Sequence, residues 1–174
     1  MKKTRIYIPS PFFNSAQIAV VEMIERALED NLLEYFSPMR CPATTQARAT
    51  GMTPELAAQC FANDIAELDR CSHVVAVNDW LTPGSDPQPM LVRVPTHGAL
   101  EMVAPLRVPD SGTVWEIGSA YAMGKEIAIY CHETWRNPNL MLAFSTRHII
   151  QGERELRLWL GCFAEAKRGK VQVH

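Results

Sequence analysis

A loop, a short helix and a buried strand follow one another in the stretch DSGTVWEIGSAYAMGKEIAIYC, residues 110–131. Gly124 stands where the C-terminus of a helix favours glycine, and residues 126–131 form an apolar run of strand length. Thr113 and Glu116 have the spacing of a capping box, with Thr113 as N-cap and Glu116 at position N3. The stretch therefore predicts a helix that begins near residue 113 and leads into a core strand.

Strand and helix patterns alternate on both sides of this stretch. Apolar runs of strand length lie at residues 5–8, 33–36, 73–77 and 147–150. Three further helices are predicted. The first follows Asn14 or Ser15, the second runs from Thr53-Pro54 to about residue 69, and the third runs from about residue 153 to 166. This alternation predicts an α/β fold in one domain, residues 1–174, with a doubly wound, flavodoxin-like parallel sheet of five strands and helices on both faces.

A long proline-rich segment interrupts the pattern at residues 78–109. It contains six of the twelve prolines, and little of it resembles regular structure except residues 90–94. Connections of this length are usually functional or disordered. Three interpretations stay open: a lid over the site, a mobile surface excursion, or an oligomer contact.

Composition and charge narrow the classes of partner. The chain has 174 residues, 47% hydrophobic residues and a formal net charge of −2. A nucleic-acid polymer or an anionic membrane surface is bound by a strongly basic protein, which this is not. No apolar run approaches the length of a membrane span, and the basic N-terminus does not lead into a convincing signal peptide. A small-molecule partner is therefore predicted.

The cysteines and histidines predict neither disulfides nor a metal. The five cysteines show no CxxC spacing and lie mostly in apolar segments, which is typical of buried, reduced thiols in a cytoplasmic protein. They are Cys41, Cys60, Cys71, Cys131 and Cys162. The five histidines show no paired spacing on a helix face, so we expect no structural metal.

Three carboxylates are candidates for chemistry. Asp110 and Glu116 flank a helix N-terminus, where two carboxyl groups in different environments can divide the roles of general acid and nucleophile. The alternative role of Glu116 is in the capping box with Thr113. Asp64 falls within an apolar stripe of its helix, which is unfavourable unless the carboxylate is paired or opens onto a cavity. The alternative is a structural aspartate that binds the backbone of a neighbouring loop.

The predicted fold places these residues near a common edge. Ligands of open α/β sheets bind beyond the carboxyl ends of the strands, near a topological switch point. The loops at residues 7–13, 78–110 and 132–141 each follow a predicted strand. We expect the three loops to lie side by side at the entrance of one ligand-binding site.

Several residue strings, in this order, resemble the nucleoside 2-deoxyribosyltransferases over nearly the whole chain. The strings are Ile6-Tyr7-Ile8-Pro9-Ser10-Pro11-Phe12-Phe13-Asn14, Asn63-Asp64 followed by Asp69 and His73-Val74-Val75-Ala76, Asp110-Ser111-Gly112-Thr113 through Glu116-Ile117-Gly118 to Gly124-Lys125, and Asn139-Leu140-Met141. The resemblance implies transfer of a 2-deoxyribosyl group between nucleobases of 2′-deoxynucleosides, in nucleotide salvage and without a metal or organic cofactor.

The resemblance also implies roles for single residues. Glu116 would be the nucleophile that forms a covalent glycosyl intermediate, and Tyr7 would orient its carboxylate. Asp64 and Asp110 would hold the nucleobase and handle the proton that the leaving base needs.

The remaining implied contacts involve the nucleobase and a second subunit. Phe13 would line the base pocket, and Gln46 would touch the base. Asn139 and Met141 would reach the sugar in an adjacent subunit's site, which implies a homo-oligomer, a hexamer or a dimer, with shared sites.

Departures from the family pattern leave alternatives open. The segment at residues 78–109 is longer than usual in the family, and Ser119 stands where a tyrosine is frequent. The first loop lacks the phosphate grip of the related nucleoside 5′-monophosphate hydrolases, which favours nucleosides, although Arg48, Arg93 or Arg107 could contact a phosphate. The alternatives are an N-glycoside hydrolase of nucleosides or their monophosphates that uses the same Glu116, and a non-catalytic nucleotide-binding module.

Overall fold

The structure is a computed structural model that describes residues 4–78, 90–93, 100–103, 110–132 and 140–169; for residues 90–93, 100–103 and 164–169 it describes the backbone alone. The strands are β1 (Arg5–Tyr7), β2 (Glu34–Phe36), β3 (His73–Val77), β4 (Met90–Arg93), β5 (Leu100–Val103), β6 (Glu126–Cys131) and β7 (His148–Gln151). The helices are α1 (Ser15–Asp30), α2 (Pro42–Thr50), α3 (Pro54–Arg70), α4 (Ser111–Ala122), α5 (Leu140–Phe144) and α6 (Gly152–Gly169), with a 3₁₀ turn at Pro38–Arg40.

Five strands form one parallel sheet in the order β2-β1-β3-β6-β7. The chain moves outward to one side of β1 through β2 and then returns to continue on the other side with β3. The switch point therefore lies between β1 and β3, and the carboxyl ends of these two strands are where the fold places a ligand. The predicted five-stranded, doubly wound α/β fold is confirmed.

Helices cover both faces of this sheet. The two faces of each strand alternate, so Val75 and Val77 join a core cluster with α1 and α6, while Val74 and Ala76 join a second cluster with α3, α4 and α5. β3 and β6 are buried almost throughout, as their apolar sequences predict. These two strands form the centre of the sheet, next to β1, which ends at Tyr7.

The start of α4 differs from the prediction. The helix begins at Ser111 and its N-cap is Asp110, whose Oδ2 accepts hydrogen bonds from the Thr113 backbone N–H at 2.8 Å and the Thr113 hydroxyl at 3.0 Å. The capping box with Thr113 as N-cap is therefore wrong, because an aspartate three residues earlier caps at least as well. Glu116 consequently lies in the second turn and has no capping role. Gly124 has a φ of +66°, as its predicted place after the helix requires.

Three further features were not predicted. α2 precedes α3, and β5 pairs antiparallel with β4, whose residues 90–93 fall in the part of the proline-rich segment that resembled regular structure. Cys162 is exposed, so the prediction that the cysteines are buried is wrong there.

None of the helices in the described part of the chain combines the length and the hydrophobicity that crossing a bilayer requires.

Candidate active site

Glu116 and Tyr7 form the best-defined polar contact at the switch point. Tyr7 is the last residue of β1 and is fully buried, and its hydroxyl donates a short hydrogen bond to Oε1 of Glu116. α4 packs over β3 and β6, which brings its second turn to the carboxyl end of β1. A buried strand and a packed helix thus hold the carboxylate from two sides.

Glu116 faces a cavity of about 460 Å³ between the loop after β1, α3 and the start of α4. Most of the lining is apolar, with three carboxyl groups set into it. The lining residues are Ser10, Phe12, Phe13, Pro38, Phe61, Asp64, Ile65, Asp110, Gly112, Trp115 and Glu116. A largely apolar cleft with a few polar groups is the usual form of a small-molecule site.

Two carboxyl groups of this cavity, those of Glu116 and Asp64, have pKa values above the ordinary range. Burial raises the pKa of Glu116 to about 8; the hydrogen bond from Tyr7 opposes this rise, and the charges of Asp64 and Asp110 add to it. Burial also raises the pKa of Asp64 to about 6. The pKa of the Tyr7 hydroxyl is raised by its burial and by the charge of Glu116, so Tyr7 stays a donor. The site therefore keeps a proton near neutral pH.

Asp64 presents an acceptor that the described part of the chain does not use. Its Oδ1 is buried and has no hydrogen-bond partner among the described residues. Leaving a buried polar atom unpaired costs about 1–3 kcal/mol, so an incoming N–H donor that pairs with it gains affinity. Asp64 lines the cavity, which is one of the two situations expected for a carboxylate within an apolar stripe. The apolar stripe expected on this helix also includes Ala57 and Phe61, and both are exposed rather than in the core.

Asp110 serves α4 as well as lining the cavity. It is buried, and both of its hydrogen bonds to Thr113 use Oδ2. A Cβ on residue 112 would lie 3.1 Å from that oxygen, so Gly112 leaves room for the carboxylate. Asp110 thereby fixes the start of the helix that carries Glu116.

The structure brings together five of the residues singled out in the sequence: Tyr7, Phe13, Asp64, Asp110 and Glu116. Gln46 is exposed on α2 and does not line the cavity. Met141 is 80% exposed on α5 and lines a different groove, with Val114, Ile117, Tyr121 and Phe144. Asn139 lies outside the described residues. Three loops were expected at the entrance of the site. Residues of the first loop and Asp110 of the second line the cavity, and the described ends of the third loop do not.

Two aromatic pairs in the lining were not fully anticipated. Phe12 and Phe13 stack with ring centroids 6.0 Å apart, and Phe61 of α3 meets Trp115 of α4 at 5.4 Å with the ring planes tilted by 47°. Only Phe13 was predicted to line the pocket. Trp115 directly precedes Glu116 in the sequence, and this adjacency could have predicted that Trp115 lines the pocket.

Metal-ligating side chains do not cluster in the described ranges. No group of three histidine, cysteine, aspartate or glutamate side chains there has the geometry to hold a metal ion.

Comparison of the sequence alone finds no relative, since no protein-family model and no curated protein matches it. Comparison of the structure does. The 2-deoxyribosyltransferase from the psychrotolerant bacterium Bacillus psychrosaccharolyticus superposes with a TM-score of 0.60 at 22% identity, over 88% of this chain and 90% of that one. The chain has the 2-deoxyribosyltransferase fold.

Two further solved structures share this 2-deoxyribosyltransferase fold. A conserved protein from Enterococcus faecalis has a TM-score of 0.60 at 15% identity, over 91% of this chain and 98% of that one. The CMP N-glycosidase from Clostridium botulinum has a TM-score of 0.51 at 18% identity, over 91% of this chain and 99% of that one. The fold expected from the resemblance is thereby confirmed at nearly full length.

Proposed function

We propose that this protein is a nucleoside 2-deoxyribosyltransferase that exchanges the nucleobase of a 2′-deoxynucleoside through a covalent intermediate on Glu116. The observation that carries the proposal is the Glu116 carboxylate, held by the Tyr7 hydroxyl and facing an aromatic cavity that contains two further carboxyl groups. Retaining cleavage of a glycosidic bond needs a fixed carboxylate nucleophile and a nearby proton donor. Both are available within this one cavity.

The first half of the reaction breaks the bond between C1′ and the nucleobase nitrogen. An oxygen of the Glu116 carboxylate forms a bond to C1′ while the base departs with the electron pair of the old bond and takes up a proton. The products are a neutral free base and a deoxyribosyl ester of Glu116. The transition state resembles an oxocarbenium ion, which the adjacent carboxylate stabilises.

The second half reverses these steps with a different base. A nitrogen of the acceptor base attacks C1′, the ester bond breaks, and the proton of the attacking nitrogen returns to the carboxyl groups of the cavity. Two displacements at C1′ retain the configuration of the sugar. The reaction consumes and regenerates one proton in the site.

Asp64 and Tyr7 have different roles in this scheme: Asp64 transfers the proton, and Tyr7 stabilises the ionised form of Glu116. Burial keeps a proton on the carboxyl pair near neutral pH, and the hydrogen bond from Tyr7 favours the ionised form of Glu116. Because the pKa of Glu116 is the higher of the two, the proton of the resting site lies on Glu116. In this scheme the proton passes to Asp64 when the substrate binds, which leaves Glu116 ionised for the attack. Asp64 then delivers the proton to the leaving base and receives one from the acceptor base. Its unpaired Oδ1 is the acceptor for an N–H of the base.

We further propose that residues 1–174 act as one domain in a cytoplasmic homo-oligomer with shared sites. Met141 lines a groove apart from the cavity and is 80% exposed, so this groove lies at the protein surface. In this arrangement Asn139 and Met141 contact the sugar bound by the neighbouring subunit. Gln46 contacts the base only if α2 or the loop before it moves toward the cavity.

A second candidate function is hydrolysis of an N-glycosidic bond by the same Glu116. The likeness to a CMP N-glycosidase supports it, since that protein shares the fold and acts on a related bond. The first half-reaction is the same, and water replaces the acceptor base in the second. Whether the protein transfers or hydrolyses depends on whether an acceptor base binds well enough to exclude water from the covalent intermediate.

Product analysis distinguishes these functions. The protein is incubated with a panel of 2′-deoxynucleosides and their 5′-monophosphates, with and without a different free base, and the products are separated by chromatography. Transfer predicts a new deoxynucleoside that requires the acceptor base and is absent with Glu116→Gln. Base release that is equal with and without acceptor would identify the hydrolase instead, and unchanged nucleosides throughout would refute both functions.

A further inference from the structure

Four aromatic side chains line the candidate cavity, and two of them lie outside the loop after β1. Phe61 is 58% exposed and Trp115 is 48% exposed, although they pack against each other. Large aromatic groups gain from burial, and their exposure in a concave site indicates a surface that a ligand covers. These two rings belong to α3 and α4, whereas Phe12 and Phe13 belong to the loop.

Trp115 has the better position for contact with a nucleobase. It directly precedes Glu116, and both residues line the same cavity. The glycosidic nitrogen of the base starts next to C1′, which the Glu116 carboxylate attacks, so the base lies within a few ångströms of this part of α4. The 47° tilt between the rings of Phe61 and Trp115 prevents both from stacking flat on one planar base.

We propose that the nucleobase stacks on Trp115, which Phe61 braces, and that this contact makes purines the better-held bases. The proposal deepens the transferase function proposed above and rests on it. Stacking of a base on an aromatic side chain contributes in proportion to the overlapping ring area, and a bicyclic purine covers more of an indole than a pyrimidine does. A cavity of about 460 Å³ has room for the larger base.

The same contact governs the competition between base and water. In the covalent intermediate, the acceptor base must occupy the space that the leaving base has vacated. A base held on Trp115 excludes water from that space, so transfer exceeds hydrolysis. Loss of the aromatic ring is expected to weaken binding of the acceptor base. A larger fraction of the covalent intermediate should then react with water.

The kinetic test compares two variants of Trp115 with a matched control. In Trp115→Leu we expect the KM for a purine acceptor to rise about tenfold, the factor that corresponds to the lower range of base stacking, and the KM for a pyrimidine acceptor to rise less. Trp115→Phe keeps an aromatic face and should stay within about threefold of the parent. The control is Leu158→Ala, since Leu158 is 64% exposed on α6 and lines neither the candidate cavity nor the groove of Met141.

A binding test separates this proposal from the proposed function because it needs no turnover. Adenine is titrated into Glu116→Gln and into Glu116→Gln with Trp115→Phe, and tryptophan fluorescence is recorded. Stacking predicts quenching in the first protein and its loss in the second, where Trp80, Trp135 and Trp159 remain.

Three results would overturn the stacking proposal: equal quenching in both proteins, no adenine binding by either, or an equal rise in KM for purines and pyrimidines in Trp115→Leu. Turnover without purine discrimination at Trp115 would leave the transferase function intact. Quenching by Trp115 without any turnover would refute the transferase and keep the base site.

Discussion

Replacing Glu116 by glutamine should make the protein more stable at alkaline pH while it abolishes turnover. Burial raises the pKa of the Glu116 carboxyl from an ordinary 4.5 to about 8 in the folded chain. The unfolded chain therefore releases this proton at a lower pH than the folded chain does. Between these two pKa values the folded state binds more protons, so the free energy of unfolding falls as the pH rises.

The size of the effect follows from the two pKa values. Each pKa unit corresponds to about 1.4 kcal/mol, and between pH 5 and pH 8 linkage gives a loss of about 3 kcal/mol in the parent from this group. Glutamine cannot ionise but keeps an oxygen that accepts the Tyr7 hydrogen bond. Asp64, whose pKa burial raises to about 6, is present in both proteins, so the part of its contribution that comes from burial cancels in the comparison.

The assay is urea unfolding followed by circular dichroism at pH 5 and pH 8 for the parent and Glu116→Gln. We expect the variant to gain about 3 kcal/mol relative to the parent over this interval, with most of the gain above pH 6. Glu153→Gln is the control, because Glu153 is an exposed partner of Arg157 and its loss should change stability by less than about 0.5 kcal/mol at either pH. A stability difference between Glu116→Gln and the parent that does not change with pH would refute the raised pKa and the proton held in the site.

Three further outcomes are expected. Tyr7→Phe removes the hydrogen bond that favours ionised Glu116, so the acidic limb of the kcat/KM profile should shift to higher pH; an unshifted limb would contradict the role of Tyr7. Asp110→Ala should lower the free energy of unfolding by about 1 kcal/mol through loss of the α4 cap while Asp110→Asn keeps it, and equal urea midpoints would contradict the cap. Glu116→Gln mixed with Asn139→Ala should recover part of the activity that each lacks alone, and no recovery in verified mixed oligomers would exclude shared sites.

The sequence predicted the sheet because its core strands carry an unambiguous signal. β3 and β6 are continuous apolar runs that can only be buried, and their alternation with capped helices leaves few topologies. The start of α4 was less predictable, since Asp110 and Thr113 are both good N-caps three residues apart and local sequence does not choose between them. α2 escaped prediction because its sequence PATTQARAT has only a weak apolar pattern.

The candidate site was predictable where polar residues broke an apolar pattern. Asp64 stood out on its helix for this reason, and its unpaired oxygen in the cavity is consistent with that reading. Phe61 and Trp115 were not recognised, because an aromatic residue at helical spacing indicates the core by default. Only the packing of α3 beside α4 places their rings together at the edge of the cavity.

Trapping the intermediate tests the central claim most directly. The protein is incubated with a 2′-deoxy-2′-fluoro nucleoside, whose fluorine destabilises the oxocarbenium-like transition state and slows both half-reactions, then quenched in acid, digested with trypsin and examined by mass spectrometry. The proposed mechanism predicts one fluorodeoxyribosyl group on the peptide of residues 108–125, located by fragmentation at Glu116. An adduct on Asp64 or Asp110, or release of base in a stoichiometric burst from protein that carries no adduct, would contradict it.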